Sequence, residues 1–249
     1  MENSFGSTSV PDLDTDTSLY PPIPAYVEDN YWWAYVHPHA VYFWDRQWLI
    51  NLVLLGNYKR LCAAVLDGCR RSLPGRTLQV GCAYGNITPR LAQCVEQNGM
   101  LDVIDVLQVQ LDNLAPKLPQ DARVKLHCMD STALNFDDAC FDRVVFFLLL
   151  HEQPVTVRKQ TLAEALRVLR PGGTITIVDY ARPNRFNLPC RLWTSVLEKL
   201  KPFASDLWNG EVADWLPTDA GVVCVRRLRF FGGFFQILTF TSDSVTEKR

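Results

Sequence analysis

The sequence lacks the features that mark several large classes of protein. No stretch approaches the roughly 18–20 consecutive apolar residues that a membrane-spanning helix needs. The first nineteen residues contain no lysine or arginine and carry four acidic side chains, which argues against a secretory signal and a mitochondrial transit peptide. A net charge of -2 shows no basic excess, so we expect no nucleic-acid partner.

Paired metal-binding cysteines are also missing. None of the eight cysteines forms a Cys-x-x-Cys pair, so a zinc ribbon is not indicated. Several of them, such as Cys128 and Cys224, lie in apolar patterns and are expected to be reduced core residues. Reduced cysteines predict a reducing compartment.

Composition divides the chain into three parts. Residues 1–19 are rich in Ser, Thr, Asp and Gly and predict a disordered tail. Residues 20–72 form an aromatic-rich segment, helical from about residue 38 to 67 with a break near Gly56-Asn57, and its stretch 31–48 holds four of the seven tryptophans. These rings either pack on the main domain, or form a lid over a flat apolar substrate or a membrane contact. Residues 73–249 form the third part.

From residue 74 onward the chain alternates short apolar strands with helical segments. Strands are predicted at 77–80, 101–104, 124–128, 143–149 and 174–178. This alternation predicts an α/β fold with a doubly wound, mostly parallel sheet. Segments 222–231 and 234–241 flank Gly232-Gly233 and predict a C-terminal antiparallel hairpin that completes a seven-stranded sheet. A helical insert at 188–220 precedes this hairpin.

Polar residues and glycines follow the predicted strands, at the edge where parallel sheets bind ligands. The first strand opens into Leu78-Gln-Val-Gly-Cys-Ala-Tyr-Gly85, whose glycines allow a sharp turn and close approach to a ligand. Asp105 ends the second strand, 20 residues after Gly85, where a carboxylate can accept both ribose hydroxyl hydrogens. Asp130 and Ser131 end the third strand, where an adenine amino group could be held.

In this order, the loop, Asp105, Asp130, Phe141-Asp-Arg-Val-Val145 and Leu166-Arg-Val-Leu-Arg-Pro-Gly-Gly173 resemble the class I methyltransferases over about residues 73–241. The resemblance implies a Rossmann-like fold that binds S-adenosylmethionine. An NAD-dependent dehydrogenase is the alternative, but its Gly-x-Gly-x-x-Gly spacing is absent. The implied cofactor-binding residues are Gln79, Gly81, Ala83, Tyr84, Gly85, Asp105, Val106, Asp130 and Ser131.

Further motifs carry a narrower resemblance. They are Tyr20-Pro-Pro-Ile-Pro-Ala-Tyr26, Tyr31-Trp-Trp-Ala-Tyr-Val-His-Pro38, Arg46-Gln-Trp-Leu-Ile-Asn51, Leu149-Leu-His-Glu-Gln-Pro154 and Ile177-Val-Asp-Tyr-Ala-Arg-Pro183. Together they look like the RquA family of rhodoquinone biosynthesis proteins. That resemblance implies replacement of a ring methoxy group of ubiquinone by an amino group. It also implies S-adenosylmethionine as the nitrogen donor, with a divalent metal, preferably manganese (Mn2+).

Two positions of the loop depart from the methyltransferase pattern. Gln79 stands where an acidic residue is usual, and Ala83 stands where glycine is usual. An α-amino group attacks a ring only when it is neutral, and a nearby carboxylate would favour its cation. Gln79 keeps a hydrogen-bond partner and removes the charge, which suits an amine donor; neutral drift is the other interpretation. Ala83 is interpreted as tolerance of one methyl group.

His151 and Glu152 follow the fourth strand, where substrate-facing groups are common in this class. An imidazole and a carboxylate together suit manganese, so both are candidate metal ligands and candidate catalytic residues. His151 is alternatively a general base, and the pair is alternatively the start of a helix with Glu152 near its positive end. Asp179 ends the fifth strand as a candidate third ligand or orienting group, or as a cap of the following loop.

We assign Tyr35 and His37 of the aromatic segment, together with Tyr180, as candidate substrate contacts. A ubiquinone substrate implies peripheral membrane contact, through the aromatic segment and the 188–220 insert. The acidic start favours the cytoplasmic face of a bacterial inner membrane over the mitochondrial matrix face. Two alternative functions stay open. One is an ordinary methyltransferase acting on a quinone precursor or another small apolar aromatic, and the other is a non-catalytic assembly factor.

Overall fold

A computed structural model gives the structure of the protein and describes residues 20–82, 84–120, 123–184, 187–218 and 220–242. The tail predicted at residues 1–19 and the loop residue Ala83 lie outside the described residues.

The described residues form one seven-stranded sheet with strand order β3-β2-β1-β4-β5-β7-β6. β1 to β5 pair in parallel, and β7 runs antiparallel to both β5 and β6. From β1 the chain adds β2 and β3 on one side and then crosses to add β4 and β5 on the other side. The switch point of the sheet therefore lies between β1 and β4, whose carboxyl ends flank the crevice. The strands are β1 (Arg76–Val80), β2 (Met100–Asp105), β3 (Val124–Cys128), β4 (Phe141–Phe147), β5 (Leu169–Tyr180), β6 (Val222–Phe230) and β7 (Phe235–Ser242).

Helices cover the sheet and build the segments before and after it. The α-helices are α1 (Ala25–Tyr31), α2 (Pro38–Trp44), α3 (Gln47–Val53), α4 (Tyr58–Gly68), α5 (Ile87–Ala92), α6 (Gln108–Leu114), α7 (Val155–Val168), α8 (Leu188–Leu200) and α9 (Ser205–Asn209). A π-helix spans Trp32–Val36, and 3-10 turns span Ala115–Lys117, Leu150–Glu152 and Val212–Trp215. Within the described ranges no single helix is long and apolar enough to cross a membrane, although α3 and α4 pass that test as a pair bent by 92°.

The predicted α/β architecture, mostly parallel sheet and C-terminal hairpin are confirmed. The strands β1 and β4 are apolar because they lie in the middle of the sheet and are buried on both faces. One difference concerns Pro171-Gly172-Gly173, predicted to precede the fifth strand. In the structure β5 already pairs with β4 at Leu169, and the pairing resumes at Thr174 after a register shift. The Pro-Gly-Gly stretch therefore interrupts the ladder and does not precede it.

The aromatic segment differs in detail from its prediction. The helical stretch predicted at residues 38–67 as two helices contains three, because a second break falls at Asp45 and Arg46. Asp45 leaves the helix and accepts a hydrogen bond from the backbone N–H of Gly85, at 2.7 Å. Its other carboxylate oxygen pairs with Lys117. The segment thus packs on the carboxyl edge of the sheet and contacts the loop that follows β1.

Candidate active site

The loop after β1 makes a tight turn that depends on its two glycines. Gly81 and Gly85 have φ angles of +84° and +93°, in the left-handed region that glycine adopts without strain. A Cβ at Gly85 would lie 2.4 Å from the hydroxyl of Tyr58. That hydroxyl accepts hydrogen bonds from the backbone N–H groups of Asn86 and Ile87, at 2.7 and 3.0 Å. Tyr58 therefore fixes the end of the loop where α5 begins.

Asp105 closes the other side of this turn. Its carboxylate accepts a hydrogen bond from the backbone N–H of Cys82 at 2.7 Å and one from Leu107 at 2.9 Å. Burial raises the pKa of Asp105 to about 6, although these two N–H groups act in the opposite direction. Asp105 and Val106 line the same cavity as Gly81 and Tyr84. The structure therefore brings together the predicted residues that follow β1 and β2.

Gln79 is fully buried beneath this turn. Its amide nitrogen donates to the carbonyl oxygen of Gly81 at 3.0 Å and to the hydroxyl of Thr88 at 2.9 Å. Its amide oxygen has no hydrogen-bond partner among the described residues. A buried acceptor without a partner is costly. Gln79 lies beneath the turn and does not belong to the lining of the cavity described below.

The predicted residues after β3 lie farther from the cavity. The carboxylate of Asp130 accepts a hydrogen bond from the backbone N–H of Thr132 at 2.8 Å. The hydroxyl of Ser131 shares a hydrogen bond with Thr161 at 2.9 Å and accepts one from Gln153 at 3.1 Å. Neither Asp130 nor Ser131 belongs to the cavity lining described below.

A cavity of about 390 Å³ lies beyond the carboxyl ends of β1, β2 and β4. Aromatic and aliphatic side chains of the aromatic segment, the strand ends and α8 form most of its wall. Tyr35 and Tyr180, two of the predicted substrate contacts, line it. His37 does not: it caps α2, where its ring nitrogen accepts the backbone N–H of His39 at 3.3 Å. The aromatic segment therefore both packs on the domain and roofs a cavity.

His151 enters this cavity from a short turn after β4. Leu148 begins the turn with a φ angle of +57°, a strained value for a branched residue, and its N–H donates to the carbonyl of Val178 at 2.8 Å. His151 is buried, and its Nδ1 lies 2.9 Å from Oδ1 of Asp179. Asp179 also accepts the backbone N–H groups of His151 and Tyr180, at 3.2 and 2.8 Å. Asp179 therefore orients the imidazole.

The electrostatics of this pair favour a basic imidazole. Burial opposes the charged form of His151, but the charge and hydrogen bond of Asp179, with those of Glu152, raise the pKa above its usual value. Nε2 of His151 lies 3.5 Å from Oε1 of Glu152. With Nδ1 held by Asp179, the Nε2 side is the one available for proton transfer.

Glu152 belongs to a second polar group in the cavity. Its Oε1 accepts hydrogen bonds from the hydroxyl of Tyr35 and the ammonium group of Lys201. Burial alone would raise the pKa of Glu152, but Lys201 and His151 bring it down to about 2. No sequence pattern indicated Lys201, which follows α8 and reaches the site only because that helix packs over the cavity.

These residues do not fit the predicted divalent metal. Among the described residues, no group of three or more His, Cys, Asp and Glu side chains could hold a metal ion. The carboxylate of Glu152, which faces Nε2 of His151, is already neutralised by a fixed cation, Lys201. We therefore derive no step of the reaction through a metal.

Comparison with solved structures places the chain in a fold class. N-methyltransferase NodS from Bradyrhizobium japonicum, in complex with S-adenosylhomocysteine, superposes with a TM-score of 0.52 at 17% identity, over 74% of this chain and 86% of that one. The [4+2]-cyclase SpnF superposes with a TM-score of 0.54 at 17% identity, over 84% and 97%. The protein has the Rossmann-like methyltransferase fold, with the predicted seven-stranded sheet.

Within this class, residues 77–173 match the family model described as a methyltransferase domain. A curated relative, the ubiquinone/menaquinone biosynthesis C-methyltransferase UbiE of Vibrio vulnificus, is 27% identical over 139 residues, which are 54% of this chain and 53% of that protein. An uncharacterized methyltransferase of Synechocystis sp. is 26% identical over 208 residues, 83% of this chain and 92% of its own length. The chain spans about half the length of the first of these relatives.

Proposed function

We propose that the protein is an S-adenosylmethionine-dependent transferase whose acceptor is a lipid-soluble quinone. One observation carries the proposal: a single apolar cavity joins the loop after β1, with Asp105, to the His151–Asp179 pair. A donor held by the loop and an acceptor held in the cavity would meet beside an oriented base. The quinone acceptor is supported by the relatives named for quinone biosynthesis.

The donor site fits S-adenosylmethionine on three counts. Gly81 turns the loop with a φ angle of +84°, which a side chain would strain, and a Cβ there would lie 3.1 Å from Leu149. Asp105 offers a half-buried carboxylate for ribose hydroxyls. Gln79, buried beneath the loop and outside the cavity lining, keeps an unpartnered amide oxygen there and adds no negative charge. When bound, S-adenosylmethionine would supply the transferred group.

Within this function we propose amino transfer, with loss of a ring methoxy group as methanol. The support comes from Gln79 and His151. Gln79 places a neutral amide where a carboxylate would stabilise an ammonium cation, so an amino group beside it is more readily deprotonated. His151 would accept the proton released by the attacking nitrogen and return it to the leaving methoxy oxygen. The resemblance to the rhodoquinone biosynthesis family points the same way.

Methyl transfer is the second candidate, favoured by the relatives that are C-methyltransferases. In that reaction His151 would remove a proton from the acceptor, so the same pair of residues serves both. The fold itself does not decide between them, because structures of similar fold include both methyltransferases and a cyclase.

Isotope labelling separates the two reactions. The full chain is incubated with a short-chain ubiquinone and S-adenosylmethionine labelled with ¹⁵N in the amino group and ¹³C in the methyl group, with and without Mn2+. We expect ¹⁵N in the product and loss of one methoxy group. Gln79→Glu, which restores the charge, should lower amino transfer. Appearance of ¹³C alone would establish methyl transfer, and no turnover with unimpaired donor binding would favour an assembly factor.

We further propose that the protein binds the surface of a membrane in order to reach its acceptor. Trp33, Leu52 and Leu200 line the cavity and are also exposed, so the cavity opens through an apolar rim. An acceptor with a long apolar tail would enter from a bilayer through such a rim. The proposed location is the cytoplasmic face of a bacterial inner membrane, with the mitochondrial matrix face as the alternative.

A further inference from the structure

The polar group around Lys201 belongs to the same cavity and contains none of the residues assigned to the donor site. The ammonium nitrogen of Lys201 donates to the hydroxyl of Tyr35 at 2.6 Å and to the carboxylate of Glu152. It lies 4.8 Å from the ring centre of Tyr31 and 4.7 Å from that of Tyr35. Only 13% of the Lys201 side chain is exposed. A fixed cation is thus held between two aromatic rings at the edge of the apolar cavity.

These contacts leave the ammonium group with binding capacity. An ammonium group has three N–H donors, and the hydrogen bonds formed with described residues use two of them. Lys201 also lines the cavity. The remaining donor is therefore available to an acceptor atom of a molecule bound there.

A second donor nearby has no partner. The hydroxyl of Tyr31 is buried and forms no hydrogen bond with any described residue, and Tyr31 lines the cavity. The indole N–H of Trp193, another lining residue, is also buried and forms no hydrogen bond with any described residue. Unpaired buried donors are costly, and a ligand that carries oxygen atoms on an apolar ring would satisfy them.

We propose that Lys201 is a catalytic residue that binds a ring oxygen of the acceptor and stabilises negative charge on it, with Tyr35 and Glu152 as positioning residues and Tyr31 as a second donor. The proposal rests on the proposed function, because it assigns a role within the same cavity. It also accounts for the misfit of the metal: the cation beside Glu152 is supplied by the chain itself.

The role follows from the chemistry of substitution on a quinone. When the donor nitrogen adds to the ring carbon that bears the methoxy group, a C–N bond forms and the conjugated π electrons move onto the ring carbonyl oxygen. Lys201 donates a hydrogen bond to that oxygen while it carries the charge. His151 takes the proton from nitrogen. When the electron pair returns, the C–O bond to methoxide breaks, and methoxide leaves as methanol with the proton from His151. The nitrogen still carries the donor's Cα at this point; loss of the Cα proton moves two electrons into the quinone ring and leaves an imine, so that Cα is oxidised and the ring is reduced. Water then hydrolyses the imine, which breaks the N–C bond and releases the aminoquinol and a 2-oxo acid.

The first test measures anion binding without turnover. A nitrophenol whose colour reports its ionisation is titrated from acid to alkaline pH with the full chain. We expect the wild-type protein to bind the phenolate at least tenfold more tightly than the phenol, and Lys201→Met to lose this preference. Lys201→Arg should retain part of it. Lys199→Met is the matched control, because Lys199 is exposed on the last turn of α8.

The second test measures turnover with a short-chain ubiquinone. Lys201→Met should lower kcat by about a hundredfold, with donor binding and the melting temperature close to those of Lys199→Met. An unchanged phenolate preference in Lys201→Met would overturn the proposal. So would an unchanged kcat. If the phenolate preference depends on Lys201 but no group is transferred to ubiquinone, the oxygen site stands and the quinone function fails.

Discussion

At the scale of single residues, Asp179 determines how His151 can act. It holds Nδ1 of the imidazole at 2.9 Å and the backbone N–H of the same residue at 3.2 Å. The ring orientation and the position of its proton therefore depend on one carboxylate. A carboxylate hydrogen-bonded to one ring nitrogen is common in catalytic histidines, because it determines which nitrogen carries the proton.

Asp179→Asn should shift the pH dependence of the reaction. A base acts in its neutral form, so the rate rises as pH increases through the pKa of His151. Asp179 raises that pKa, and its loss moves the acidic limb of kcat to lower pH. We also expect kcat to fall by about a hundredfold. The measurement is the pH profile of single-turnover rates; an acidic limb that stays in place, with kcat retained, would show that His151 is not the base.

Residues that follow strands could be predicted from the sequence, and residues brought in by helices could not. Gly81 and His151 follow apolar strands, Asp105 and Asp179 lie at the ends of two others, and parallel strands bring their carboxyl ends to one edge. Lys201 follows an amphipathic helix whose docking no local pattern reveals. Without it, the adjacent imidazole and carboxylate of residues 151 and 152 resembled two metal ligands.

At the scale of secondary structure, α7 joins the turn that carries His151 to the insert that carries Lys201. Arg158 of α7 is fully buried and donates to the carbonyl oxygens of Leu150 and Gln153, at 2.9 and 2.8 Å. The same guanidinium donates to the carbonyl oxygen of Phe203 at 3.1 Å and lies 4.2 Å from the ring centre of Trp215. One side chain therefore sets the distance between the two segments.

Arg158→Met should lower the free energy of unfolding by about 2–4 kcal/mol, because it removes the guanidinium donor from the carbonyl oxygens of Leu150, Gln153 and Phe203. Chemical denaturation followed by fluorescence measures the change. Lys159→Met is the matched control on an exposed neighbouring position, and it should stay within about 0.5 kcal/mol of the wild type. A loss below about 1 kcal/mol in Arg158→Met would mean that the insert is held mainly by its apolar contacts.

The helix boundaries show why the aromatic segment was only partly predictable. Periodicity identified its helical character and the break near Gly56-Asn57, which the structure places between α3 and α4. The break at Asp45 has a tertiary cause, because its carboxylate accepts the N–H of Gly85 and pairs with Lys117. A contact with a residue forty positions away leaves no local pattern in the sequence.

At the scale of the whole molecule, exposed apolar side chains lie on the helices around the cavity. Trp48 and Leu52 of α3 are 60% and 61% exposed, and Leu192 of α8 is 74% exposed. Single exposed apolar side chains are common, whereas a contiguous group of them marks an interaction surface. Tryptophan in particular favours the boundary between water and lipid. This distribution supports the proposed membrane contact.

Trp48→Ser combined with Leu52→Ser should weaken binding to liposomes by at least about tenfold, since burying one large apolar side chain contributes ~1.5–3 kcal/mol. Co-sedimentation with vesicles of phosphatidylethanolamine and phosphatidylglycerol measures the effect. Val225→Ser is the control, because Val225 is equally exposed, at 61%, on the edge strand β6 and lies outside the cavity lining. Equal binding of the double variant and the control would contradict the proposed surface.

The hydroxyl of Tyr84, which donates to the carbonyl of Ala34 at 2.6 Å and accepts from Gln110 at 3.0 Å, ties the turn after β1 to the roof of the cavity. When this contact is ordered, the turn after β1 and the roof of the cavity both lose conformational entropy. A donor that orders the turn therefore changes the affinity of the roof for the acceptor. By thermodynamic linkage, the acceptor changes the affinity for the donor by the same factor. Donor and acceptor are therefore expected to bind cooperatively, with Tyr84 as the residue that couples their sites.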